Sequence, residues 1–373
     1  MGIRILESGL LYANPKPFLR SRQAAFPTVV DLGSGELLAS FTVGEAFESA
    51  DGHTELSRSW DNGRTWIHED RLPTSVAGHP ASESGRLSMA RDGSVLCFGP
   101  RYDRTDPERS IGNAETNGML DCEAVWQRST DGGRTWSASQ ILPIPIPGSY
   151  EIAAPIVALR DGRWLAPFSL FPNWEGKLAT PERALAMVSR DGGATWPEML
   201  TTLEDPAGHV VFWEQRLLEI GEEGGRPRLL ALAWAHDKSV GKDLPNHFAL
   251  SEDGERFSTP RSTGIPGQTC SPAWLGDGRL LCVYNHRHGD AGVRARIVRF
   301  QPEAEWEPEE EVTLWGQPPA LAGRSRGSAV AEMNYLRFGF PMVLRLQDGA
   351  FLVSHWCMED AQLVCRWTRL TVE

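Results

Sequence analysis

The sequence has 373 residues, 41% of them hydrophobic and 23% charged, which fits a folded chain with ample core and excludes a disordered or fibrous one. Its formal net charge of −12 repels phosphate backbones and argues against nucleic acid as a partner, although one basic pocket in an acidic protein can still take an anionic sugar. No apolar run reaches the length of a membrane span, and Met1 to Leu11 carries Arg4 and Glu7, so neither a signal peptide nor an anchor is expected and the protein is read as cytoplasmic with no membrane partner.

Along the chain, an apolar run, a turn containing Gly and a second apolar run recur. The first copy pairs Phe26–Val30 with Leu37–Phe41 around Gly35. Further copies surround Asp92-Gly93, Asp161-Gly162, Gly224-Gly225, Asp277-Gly278 and Asp348-Gly349. Two β-runs around such a turn predict a hairpin. Between these hairpins lies a second repeat, S-x-D-x-G-x-T-W, at Ser59–Trp66, Ser129–Trp136 and Ser189–Trp196, with a degenerate copy at Ser251–Phe257. Its Asp suits capture of turn amides and its Gly a positive φ, while Ser and Thr satisfy further backbone groups and the aromatic residue pins the turn. The repeat is therefore a structural staple, and Trp60, Trp66, Trp136 and Trp196 are expected in the core. The acidic run Glu303–Glu311 reads as a solvated loop at the outer edge of the fifth unit.

Two hairpins make four strands, which is one propeller blade. Six units of roughly 60 residues fill the chain, longer than the familiar propeller repeats. The expected fold is all-β, a six-bladed β-propeller, with residues 1–373 as a single domain. The six cysteines (97, 122, 270, 282, 357 and 365) show no C-x-x-C spacing, so buried free thiols are expected rather than a zinc or redox site. No motif calls for a cofactor or a metal.

If the Asp-Gly turns join the first two strands of each blade and the staples join the last two, both lie on one face. Ligand chemistry then belongs on the other, where loops converge on the central channel. The starts of the first strands bring Arg22, Glu83, Tyr150, Glu151, Glu214, Gln268, Tyr335 and Arg337 to that face. The ends of the second strands bring Arg101, Asp103, His236, Asp237, His286, Arg287, His288, His355 and Trp356, and the first long loop brings Asp51 and His53. Carboxylates, histidines, arginines and rings in this density suit a carbohydrate, with Trp356 as a stacking surface.

The staples, which are Asp boxes of the BNR type, and their alternation with Asp-Gly hairpins resemble the sialidase (neuraminidase) superfamily over essentially the whole chain. That resemblance implies an Arg-Ile-Pro motif in the first blade, whose Arg joins two others to clamp a carboxylate. It also implies an acid/base Asp in the first long loop and a Tyr nucleophile in the last blade, activated by a Glu in a middle blade. Asp51 and Glu214 stand where the acid/base and the activating Glu belong. The motif, however, reads Ala25-Phe26-Pro27, the Tyr position falls on Phe340, and the second clamp position falls near Ala235-His236. Phenylalanine has no hydroxyl to attack an anomeric carbon, and Ala and His do not replace bidentate guanidinium contacts.

The expected function is therefore a sialidase-fold glycoside hydrolase acting on a sugar other than an ordinary sialoside. Asp51 is the expected general acid, Glu214 or Glu83 its partner, and His236 an alternative acid/base group. Arg22, Arg101, Tyr150, His286, Arg287, Tyr335, Arg337, His355 and Trp356 are the candidate substrate-binding residues. A true exo-sialidase with a shifted motif, a non-catalytic sugar-binding propeller and a polysaccharide lyase stay open beside it.

Overall fold

The computed structural model describes residues 2–74, 76, 78–223, 226–287, 289–316 and 336–373. They form six antiparallel blade sheets that follow one another around a central axis as a six-bladed propeller, with a separate two-stranded ribbon of Gly112–Asn113 and Gly118–Met119. Blade one is Gln23–Gly33, Glu36–Gly44, His53–Ser59 and Ile67–Arg71, in that order from the axis outward. The innermost strands touch in cyclic sequence, ending with the contact between Gln23–Gly33 and Phe338–Arg345 that closes the ring.

Blade six is composite. Its inner strands are Phe338–Arg345, Phe351–Glu359 and Gln362–Val372, and its outer strand is the N-terminal Ile3–Tyr12, paired antiparallel with Gln362–Val372. Unlike the run of six consecutive units expected from sequence, the ring is thus closed by the two ends of the chain. The second strand of a blade is covered on both faces by neighbouring blades, so it is largely apolar rather than alternating. Every residue of Trp164–Phe171 is buried, as are Leu37, Leu38, Ala39 and Phe41. A fully buried leucine of this kind contributes about 1.5–3 kcal/mol.

The turns behave as their residues require. In the first Asp box, Asp61 Oδ1 accepts from the amides of Arg64 (3.0 Å) and Thr65 (2.9 Å), and Thr65 Oγ1 donates to Asp61 Oδ2 (2.7 Å). Gly63 has φ 83°, and Trp66 Nε1 closes the turn on its carbonyl at 2.9 Å. Arg58 of blade one reaches Gly132 O in the second box at 2.9 Å, so the staple also ties neighbouring blades. Trp60 corrects the sequence expectation: it is 54% exposed, because its position points out of the turn. The acidic run is corrected as well. Glu307–Gly316 is the outer strand of blade five, and its Glu309 and Glu311 pair with Arg299, Arg294 and Arg296 of the adjacent strand. All six cysteines are free and buried.

Candidate active site

One feature recurs on the face opposite the Asp boxes. The innermost strand is interrupted in five blades, and in blade five it is preceded by a left-handed residue. In blades one, four and six the interruption is a register shift, between Ala25 and Thr28, between Trp213 and Arg216, and between Gly339 and Met342. Each shift holds a non-glycine residue at positive φ: Phe26 (57°), Glu214 (50°) and Phe340 (53°). Blade five has Thr269 at 66° directly before its first strand. In blades two and three the strand is split instead, between Ala81–Glu83 and Arg86–Met89, and between Ser149–Glu151 and Val157–Ala158. A bulge of this type re-aims a side chain, and a left-handed non-glycine residue costs on the order of 1 kcal/mol, which the surrounding sheet must hold in place.

These interruptions line one cavity of about 170 Å³. Phe26, Ser84, Ile152, Glu214, Gln268 and Phe340 form its ring of inner-strand residues. Phe47, Tyr102, Ile111, Met119, Phe171, Trp213 and Trp234 add an apolar wall. The ionisable groups on the lining are Glu48, Glu83, Glu151, Glu214, Arg86 and Arg287, with the phenol of Tyr102 beside them.

Glu151 and Glu214 are adjacent at the floor. Glu151 Oε2 accepts the backbone N–H of Glu214 at 2.8 Å. Burial, followed by the negative charge of Glu214, holds the Glu151 carboxyl up at about 7, so it carries a proton for much of the time at neutral pH. Arg216 Nη1 donates to the carbonyl of Glu214 at 3.0 Å, and Thr269 Oγ1 to the same carbonyl at 3.3 Å, fixing the bulge from below. Arg216 and Arg86 are both buried, with guanidinium carbons 4.9 and 5.0 Å from the centroid of the Phe340 ring. Burial lowers the Arg86 guanidinium to about 10, and neither arginine forms an ion pair among the described residues.

The residues singled out from sequence fall into groups. Glu214 and Glu83 line the cavity, as does Arg287. Glu83 is raised by burial against the opposing pull of Arg101, its partner at 3.3 Å. Arg101 itself is buried behind Glu83 and also bonds Glu123 and the His79 carbonyl. Arg287 Nη1 donates to the carbonyl of Phe338 at 2.8 Å. His236 stands just behind the wall. It stacks on Trp213 (5.4 Å, 22°), and its Nδ1 bonds Asp243 Oδ1 at 2.8 Å, while Trp234 and Gln268 donate to the same carboxylate.

Asp51 lies outside the lining residues. Both its oxygens take the Glu45 amide, at 3.0 and 3.2 Å, and it is solvent-exposed. The first long loop does deliver a carboxylate to the cavity, but it is Glu48, raised by burial and accepting from the Ile111 amide at 3.1 Å.

The remaining candidates lie away from the cavity. Arg22 joins Tyr12 and Glu55, whose carboxylate is also held by His53 and His68 and lowered to about 2 against its burial. Tyr150 is in the core with its hydroxyl on the Ile146 carbonyl. His355 is fully enclosed, and burial depresses it to about 3. Arg337 bonds Met358 Sδ at 3.2 Å. His286 is half-buried at the end of its strand and is not on the lining. Trp356 is 1% exposed, too deep to stack on a ligand; it buttresses Phe26 and Phe47, which do face the cavity. Tyr335 and His288 lie outside the described residues.

Sequence reasoning placed Glu151 on the face that carries the cavity without assigning it a role, and it passed over Arg86, Arg216 and Asp243. A signal existed for two of these. Arg86 and Arg216 are the lone cations of their strands, each two or three residues after a carboxylate on the upper face.

The fold and the cavity can be set beside known proteins. A Dyadobacter fermentans protein of unknown function superposes with a TM-score of 0.74 at 22% identity, covering 100% of both chains. The NanB sialidase of Streptococcus pneumoniae gives 0.63 at 12% identity over 98% of this chain and 70% of its own. The Penicillium chrysogenum α-L-arabinanase complexed with arabinobiose gives 0.64 at 15% identity over 97% and 98%. At these identities the likeness is one of fold. No curated protein matches the sequence. The profile of the BNR repeat-like domain matches residues 111–353, more than half of the chain and spanning two full staples, the degenerate one and every hairpin after the second. With the Asp boxes folded as that repeat requires, the chain belongs to the BNR repeat-like domain family.

Proposed function

We propose that this protein is a glycoside hydrolase acting on a sugar other than an ordinary sialoside, with Glu151 as general acid and Glu214 as its partner carboxylate. The observation that carries the reading is the pairing on the cavity floor. One carboxyl is held at about 7, and the charge that helps to hold it there belongs to its neighbour. Glycoside hydrolysis needs this division of labour. One carboxyl must be protonated to donate to the leaving oxygen, and the other ionised to activate water or attack the anomeric carbon. Asp51, the acid suggested by sequence, gives up that role because its oxygens are engaged with the Glu45 amide.

The surroundings support the reading. Trp234, Phe47 and Phe26, which line the cavity and are only partly buried, offer apolar surface for a sugar ring. Phe340 occupies the position where the sialidase resemblance implies a tyrosine nucleophile, and Ala25 the position of a clamp arginine. Both departures argue against the sialidase route. The NanB sialidase and the arabinanase with bound arabinobiose lend the reading analogy of fold only.

The test is turnover of a panel of aryl glycosides by the native protein and by Glu151→Gln and Glu214→Gln. Loss of about 10²–10⁴-fold in kcat for both variants supports the assignment. Unchanged turnover in either one refutes that residue's role. A second reading, base-catalysed elimination from a polysaccharide, is favoured by the Asp243-held His236 beside the wall. It predicts ultraviolet absorbance from an unsaturated product, which hydrolysis does not give.

A further inference from the structure

The polar groups of the cavity are unevenly available. Most are already committed to the protein. Glu48 holds the Ile111 amide, Gln268 the Asp243 carboxylate, and Arg287 the Phe338 carbonyl. Arg86 donates to the carbonyl and hydroxyl of Ser84, and that hydroxyl also meets Thr42 Oγ1. Ser49 caps the Ala46 amide at 3.1 Å, and Glu83 faces Arg101. The carboxylate of Glu214 and the second oxygen of Glu151 have no hydrogen-bond partner among the described residues. Free hydrogen-bonding capacity on the lining is therefore gathered at these two carboxyls and the Tyr102 hydroxyl, which likewise has no hydrogen-bond partner among the described residues. The side chains of Phe47, Ile111, Met119 and Phe171 add hydrocarbon to the lining, with the Glu48 carboxyl beside them held on the Ile111 amide.

A hexose presents a hydroxyl on nearly every carbon, and each one buried without a partner loses its hydration uncompensated. A cavity with polar capacity on one side and an apolar wall on the other suits a ring whose exocyclic carbon carries no oxygen. The charge balance points the same way. Four carboxylates and two arginines line the space, and the guanidinium of Arg86 lies face-on to Phe26 and Phe340 instead of presenting a fork to a ligand carboxylate. An acidic sugar gains little here.

We infer that the sugar bound in this cavity is a neutral 6-deoxyhexose, its methyl group against the wall formed by Ile111, Met119 and Phe171 and its hydroxyls toward Glu151 and Glu214. The inference rests on the glycoside hydrolase reading for the identity of the floor residues, and it adds the class of sugar.

Two pairs of methyl glycosides that differ by one oxygen at C6 test it: L-fucoside against L-galactoside, and L-rhamnoside against L-mannoside. Their affinities for the Glu151→Gln protein, which keeps the wall intact, are read by tryptophan fluorescence, since Trp213 and Trp234 line the cavity. At least one 6-deoxy sugar is expected to bind about 10- to 100-fold more tightly than its hydroxylated partner. Equal or reversed affinity in both pairs, or no binding by any of the four, overturns the inference. Turnover of the matching aryl glycosides by the native protein separates the two claims. Tight binding of the deoxy sugar without release of the aryl group removes the hydrolase reading and leaves the inference standing. Hydrolysis with preference for the hydroxylated partner does the reverse.

Discussion

Replacing Glu151 by Gln should make the protein more stable at pH 8 and leave it nearly unchanged at pH 4. Burial, then the charge of Glu214, raises this carboxyl from 4.5 to about 7. A raised carboxyl means that, between those two values, the folded protein keeps a proton the unfolded chain has lost. Native stability therefore falls as pH rises through that window, and the whole penalty is present above about pH 7. Its ceiling is about 3 kcal/mol, and water reaching the cavity reduces it to roughly 2 kcal/mol. The glutamine amide stays neutral, and its oxygen can still accept the Glu214 N–H, so the substitution removes the charge with little loss of geometry. Urea unfolding of native and variant protein at pH 4 and pH 8, with matched m-values, measures the difference. A gap independent of pH, or a variant less stable than native at pH 8, would refute the electrostatic account. Such a gain in stability alongside a loss of turnover is the usual trade at a site that holds a charge for function rather than for the fold.

Other consequences can be checked separately. Glu214→Gln removes the second-largest influence holding Glu151 up, so Glu151 should titrate at lower pH, read from its ¹³C carboxyl resonance; an unmoved titration would mean the two groups do not communicate. Phe340→Ala uncovers Arg86 and Arg216 and empties a buried ring site, and should cost about 3–5 kcal/mol in urea unfolding. Asp61→Ala removes four contacts of the first Asp box, and should lower stability by about 1–2 kcal/mol while leaving KM for any glycoside unchanged, because the box lies on the face opposite the cavity. A fluorogenic sialoside should give no product above background, since Phe340 has no hydroxyl and Ala25 no guanidinium.

How much of this was legible in the sequence follows from what kind of interaction carries each feature. The Asp boxes are local: Ser59, Asp61, Gly63 and Thr65 satisfy one another within a single turn, so their spacing alone announces the turn. The hairpins are nearly as local. Together they gave the blade, the number of blades and the face free for chemistry. Glu83, Glu151 and Glu214 were placed on that face by the same logic.

Other features depend on partners distant in sequence. Closure of the ring pairs Ile3–Tyr12 with Gln362–Val372, the two ends of the chain, and no local pattern in either strand specifies it. The bulges decide the site. A shift of register between Trp213 and Arg216 turns Glu214 into the cavity and puts Arg216 beneath Phe340, a residue 124 positions later. The sequence by itself determined the repeat, the strands and the side of the propeller that carries the cavity, because these rest on contacts within a few residues. Only the tertiary structure decided which carboxylates meet. Asp51 and Glu48 share one loop, as Tyr150 and Glu151 share one strand, and the folding of distant segments around them sends one of each pair to the cavity and the other to support the fold.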